Sequence, residues 1–129
     1  MPRLWTLAEA RAALPAVIRL LEEARTLLRD EAEARTRHAT AAAPASISPA
    51  VNGHGAARPD EGLARAARLL QQVTDMGVQI KDIEQGLIDF PYLRGQEEVL
   101  LCYRLGEPDI AFWHDLEHGF AGRRPLSEL

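Results

Sequence analysis

The sequence predicts an α+β domain in which an N-terminal helical hairpin packs on a small, mostly antiparallel β-sheet. Three observations carry this expectation. Apolar residues recur at helical spacing in two stretches of the first 77 residues, on either side of 39–59, β-prone runs punctuated by glycine and proline follow, and the aromatic residues are divided unequally between the two halves. Phe90, Tyr92, Tyr103, Phe112, Trp113 and Phe120 all lie in the second half, and only Trp5 lies in the first. The 129-residue chain is 47% hydrophobic and 26% charged, which suits one domain with one core. Residues 1–38 are read as helices, 39–59 as a flexible connection, 60–77 as a further helix and 78–126 as the β-rich part.

The elements follow in order. Thr6 and Glu9 stand at the two ends of a capping box, so a helix starts there. Pro15 removes a backbone donor and disfavours helical geometry at Leu14, which predicts an end or kink near Leu14 and a second helix with Pro15 in its first turn. That helix carries the stripe Val17, Ile18, Leu21, Ala24 and Leu28. The following stretch of Ala, Pro, Ser and Gly has no periodicity, and His38 and His54 at its border and within it are read as solvated bystanders. Asp60 is placed to cap the next helix, with the stripe Leu63, Ala66, Ala67, Leu70 and Val73 and a stop at Gly77. Leucines at 7, 14, 21 and 28 and the alanine-rich stripes suggest a homodimer through the helices, although Pro15 prevents a continuous coiled coil. Beyond Gly77, runs at 78–83, 87–90, 97–105 and 109–114 read as strands.

Charge and cysteine usage narrow the function. Residues 1–76 carry ten Arg against nine acidic residues, while residues 77–129 carry five basic against ten acidic ones, giving the net −4. An acidic chain without a basic cluster is not expected to bind nucleic acid. No apolar run is long enough to cross a bilayer, and residues 1–10 lack the order of a signal peptide. The lone Cys102 excludes an intramolecular disulfide and a Cys-only zinc site, so a cytoplasmic location is expected.

Several ordered motifs then coincide: GVQIKD at 77–82, GLIDFP at 86–91, LCYRLGEP at 101–108, WH at 113–114 and GFAGR at 119–123. With the helical opening through Leu14 and Pro15, they make the chain resemble a family of short bacterial proteins known as domain of unknown function 2203. The resemblance covers most of the chain and implies no activity, ligand or catalytic residue. In that family a Trp often stands at the position of Tyr103, and the position of His118 is not characteristic. The resemblance therefore counts against any mechanism through His118.

Candidate site residues lie in the second half. Cys102 and His114 form the natural pair of metal ligands, and hairpin register decides between them. A two-residue turn at Gly106 and Glu107 would pair Cys102 with Ala111. It would put Val99, Leu101, Tyr103, Ile110, Phe112 and His114 on one face and Leu100, Cys102, Arg104, Asp109 and Trp113 on the other. In that register the thiol and the imidazole point apart, and Cys102 behaves as a small buried apolar group. The string from His114 to His118 matches H-x-x-E-H, a zinc-peptidase pattern in which Glu117 would be general base. A strand before it and Gly119 after it leave little room for the helix that pattern needs. A looser metal site would join His114 to Glu117, His118 or Asp89. Lys81 is the single lysine, and either pairs with Asp82, Glu84 or Asp89 or acts as a depressed-pKa base. Arg123 beside Arg124 can clamp a carboxylate or phosphate, or tether the tail to Glu107 or Asp109.

The hydroxyl residues make no nucleophile triad, and there is no Gly-rich phosphate loop. The expected function is therefore a non-enzymatic binding or assembly module in the bacterial cytosol. Lys81, Asp89, Glu107, His114 and Arg123 would gather near the sheet's end to take a small anionic ligand, and Trp113 would anchor a protein partner. No cofactor is expected in that reading. The alternative is a metal-binding protein or metal-dependent hydrolase using His114 and nearby carboxylates with a divalent ion such as zinc.

Overall fold

The first helix begins where the capping box places it. Thr6 Oγ1 accepts from the Glu9 amide at 3.0 Å, and Glu9 Oε1 accepts from the Thr6 amide at 2.9 Å. In the computed structural model, which describes residues 3–40 and 59–129 and only the backbone of 38–40 and 59–60, α1 then runs unbroken over Leu7–Thr40 with Pro15 inside it. The predicted break at Leu14 does not occur, for a physical reason. Ala10, Leu14, Val17, Leu21 and Ala24 form one buried stripe across the proline, whereas Pro15 itself is exposed. Pro15 lies on the exposed side of the helix, and the cost of about 3 kcal/mol is offset by burying one continuous face.

The second helix, α2, spans Pro59–Asp75, two residues short of the predicted end, and Gly77 follows with φ 95°. Its buried positions are Ala66, Leu69 and Val73, so Leu69 replaces Ala67 in the predicted stripe. Arg65 of α2 binds Glu23 of α1, and a Cβ at Gly62 would come within 2.5 Å of Glu31 Oε1. Rising numbers in one helix thus meet falling numbers in the other, and the pair is an antiparallel hairpin. Residues 41–58, with His54 and nearly all of the predicted connection, lie outside the described residues, as do the side chains of His38 and Asp60.

The sheet has five antiparallel strands in chain order: β1 (Gln79–Asp82), β2 (Leu87–Arg94), β3 (Glu97–Arg104), β4 (Phe112–His114) and β5 (Arg124–Pro125). The fifth is too short to leave a periodicity signal and was not expected. β2 continues four residues past its predicted end, through Pro91, because β1 stops pairing at Asp89 and leaves that edge free. The Trp5 amide takes up the Pro91 carbonyl there at 2.7 Å.

Both helices cover one face of the sheet. Leu14, Val17, Leu21 and Val73 pack against Ile88, Phe90, Val99, Leu101, Tyr103 and Trp113, with the Trp5 ring edge-on to Phe90 at 5.1 Å. Leu28 packs on the smaller cluster of Ala24, Ala66 and Leu69. The helical stripe that suggested a dimer is thus buried within the chain itself.

The register of β3 on β4 differs from prediction by one residue. Cys102 pairs with Phe112, not with Ala111, and Leu100 pairs with His114. The turn lies one residue earlier than expected. The Glu107 amide bonds the Arg104 carbonyl at 3.0 Å with Gly106 at φ 105°, and residues 108–111 form a wider connection before β4 starts. A one-residue slip exchanges every face. Trp113 turns into the helix-covered core, and Cys102 and His114 come to the same side.

Candidate metal centre

The face of the sheet turned away from the helices is covered by the segment that follows β4. Asp115 accepts the amides of Glu117 and His118 at 3.0 and 2.7 Å, which closes a turn in place of a peptidase-type helix. A 3-10 turn over Gly119–Gly122 then brings Phe120 above the sheet, and β5 returns the chain to β4. Arg123 fastens this cover. Its Nη1 and Nη2 donate to the two Glu107 carboxylate oxygens at 2.7 Å each, and Nη2 also reaches the Cys102 carbonyl at 3.4 Å. The guanidinium lies 4.2 Å from the Phe112 ring centre and 4.5 Å from that of Phe120. Burial works upward on the Glu107 carboxyl, but the hydrogen bonds from Arg123 and the Arg104 amide and the Arg123 charge outweigh it and hold Glu107 below its ordinary range.

Beneath this cover, three strands each contribute one buried side chain: Asp89 from β2, Cys102 from β3 and His114 from β4. A carboxylate oxygen, the sulfur and a ring nitrogen all lie within 4.8 Å of one another, and this is the only such group of three among the described residues. Asp89 and His114 are also the two buried polar side chains of the described residues, at 0% and 3% exposure. His114 Nδ1 donates to the Asp115 carbonyl at 2.8 Å, since a carbonyl can only accept. That bond turns the Nε2 lone pair of the neutral ring toward Asp89 Oδ1, 3.1 Å away. Two acceptors cannot face each other at that distance with nothing between them. Either a proton lies between them or a metal ion bound to both sits to one side of the line, and a backbone-anchored Nδ1–H is the usual support of a metal-bound imidazole.

The other oxygen, Asp89 Oδ2, is buried without a hydrogen-bond partner. Lys81 Nζ stands 3.7 Å from it, an ion pair too long for a hydrogen bond. Burial pushes the Cys102 thiol up to about 12; the Asp89 charge acts in the same direction, and Arg123 offsets them only in part. A free thiolate nucleophile does not persist there, whereas a thiolate on a metal does. A cleft of about 170 Å³ opens beside the group, lined by Lys81, Leu87, Asp89, Leu100, His114 and Phe120 among others.

Of the residues predicted for the site, Lys81, Asp89 and His114 come together, and Glu107 and Arg123 stand behind Cys102 as structural support. Trp113 does not join them, because the true register buries it against the helices with its Nε1 donating to the Pro125 carbonyl at 3.2 Å. Glu117 and His118 do not join His114 as metal ligands. Glu117 lines a separate acidic cleft with Glu97, Glu98 and Asp115, and His118 is held in the exposed turn by Asp115 at 2.8 Å. That hydrogen bond and the one from the His118 amide lower the Asp115 pKa.

Cys102 is the residue that sequence reasoning turned away. A usable signal was present one hairpin earlier. A two-residue turn at Gly95 and Gln96 pairs Arg94 with Glu97, and counting back along the ladder places Asp89 opposite Cys102.

A protein-family model described as an uncharacterized conserved protein (DUF2203) matches residues 3–126 of the chain. No curated protein and no solved structure matches it.

Proposed function

Because the chain belongs to this uncharacterised conserved family, its function has to be argued from its own site, and we propose that it is a metal-binding protein whose ligands are Asp89, Cys102 and His114. The convergence of a buried carboxylate, thiol and imidazole with an orphaned carboxylate oxygen carries this reading. Mixed N, S and O donors suit a divalent ion of the zinc type, and exclude magnesium or calcium as the preferred occupant. Ligand atoms around a tetrahedral ion at about 2.0–2.3 Å stand roughly 3.3–3.7 Å apart. The Asp89 and His114 atoms are already near that spacing at 3.1 Å, and since no two of the three atoms are more than 4.8 Å apart, about 1 Å of movement closes the set. The reading replaces Glu117 and His118 as ligands and keeps the chain a binding module.

The test is metal content by plasma mass spectrometry on tag-free protein dialysed against buffered zinc, with Cys102→Ser and His114→Ala as controls. About one zinc per chain, lost in both variants while their helical circular dichroism persists, is the expected result. Wild-type protein that stays metal-free overturns the reading and leaves the three groups as a proton-linked structural network.

A further inference from the structure

Lys81 is the chain's single lysine, and the metal reading does not use it. It belongs to β1 at the mouth of the cleft, its side chain 43% exposed against 1% for Asp89. A dication among the three ligands would have its two charges cancelled by the Asp89 carboxylate and the Cys102 thiolate, while the imidazole adds none. The Lys81 ammonium then remains as one positive charge at the mouth of the cleft, partly solvated and placed to receive an anion that enters. Three protein ligands also leave a tetrahedral ion one open position. Apart from His114 and Gly119, the rest of the lining is apolar side chains: Leu87, Leu100, Leu116 and Phe120. The cleft volume of about 170 Å³ corresponds to roughly five or six waters at ~30 Å³ each.

A ligand that answers all of these features is a monoanion with two oxygens and a short hydrocarbon part. We propose that the centre takes a small aliphatic carboxylate of about two to four carbons, with one oxygen on the metal, the other accepting from Lys81 Nζ, and the chain against Leu116 and Phe120. This rests on the metal reading. Phosphate brings a second negative charge and nothing for the apolar wall. Hydroxide leaves both the ammonium and the wall without a partner.

The test uses the full chain loaded with cobalt(II), whose visible bands and thiolate charge-transfer band report the metal itself. Acetate, propionate and butyrate are titrated in, with phosphate and chloride as comparisons. The expected result is a saturable band shift with propionate, weakened about tenfold in Lys81→Met, and no comparable shift with phosphate. Phe120→Ala, which leaves Lys81 and all three ligands in place, is expected to weaken butyrate more than acetate, and decides the matter should Lys81→Met fail to fold or to take up cobalt. Cobalt bands that no carboxylate shifts, that phosphate shifts equally, or that respond alike in the wild type and both variants overturn the carboxylate proposal and leave the metal reading standing. Absence of cobalt bands in the wild type overturns both.

Discussion

The two faces of the sheet are built from the same strands and do different things. On the helix-covered face, Ile88, Phe90, Val99, Leu101, Tyr103 and Trp113 meet the apolar stripes of α1 and α2, and the residues are interchangeable in kind. On the other, Asp89, Leu100, Cys102, Phe112 and His114 are covered only by a short segment held down by Arg123. Alternation along a strand lets successive residues serve both faces without compromise. The helices bear the burden of stability, which frees the thinner layer to bury a carboxylate and an imidazole.

That contrast can be broken at several points. The largest effect is expected from Phe90→Ala, which opens a cavity under Trp5 in the helix-covered core and costs about 3–5 kcal/mol in a denaturant titration. A loss below about 1 kcal/mol would mean that the helices do not carry the fold. Asp89→Ala leaves an imidazole and an ammonium near an apolar wall, and is expected to cost about 3 kcal/mol in metal-free protein, because one partner of a buried pair is removed. The double variant Asp89→Leu with His114→Leu should recover most of that loss, which separates a site kept for chemistry from one kept for stability. A double variant no better than the single one would assign the pair to the fold.

Glu107→Gln is expected to cost about 1–2 kcal/mol at neutral pH by loosening Arg123. Its pH dependence has a definite sign. Because the folded pKa of Glu107 lies below its unfolded value near 4.5, its contribution is fully present above that value and is lost as the pH falls through the lowered folded value. Denaturation of the two proteins should therefore converge in acid, and parallel curves would show that Glu107 contributes no linked stability. The smallest effect belongs to His118→Ala. His118 is 66% exposed on the covering segment, and stability should change by less than about 0.5 kcal/mol with metal content unaltered. A loss of metal in that variant would move the centre out to the turn.

What could be read in the sequence was local. The Thr6 and Glu9 capping box, the apolar stripes and the glycines that end α2 and divide the strands each depend on a few neighbours, and each reappears in the structure. Pro15 misled because propensity is local, whereas the stripe it interrupts is buried by tertiary contacts on both sides. The register of β4 depended on where a seven-residue connection places its turn, and period-2 patterning converts an error of one residue into the wrong face for every side chain. Lys81, Asp89 and His114 were found as chemically unusual residues, but their convergence with Cys102 depended on that register. The family resemblance identified relatives without adding a role for any residue.

The strand order of the sheet is also the order of the chain. Asp89 and Cys102 meet by closing one hairpin, and Cys102 and His114 by closing the next, so the three groups are gathered without any distant segment being threaded between them. The loop entropy of such closures is small, and assembly built from them is fast. The long-range search in this molecule belongs to α1, which must find the sheet from the other end of the chain.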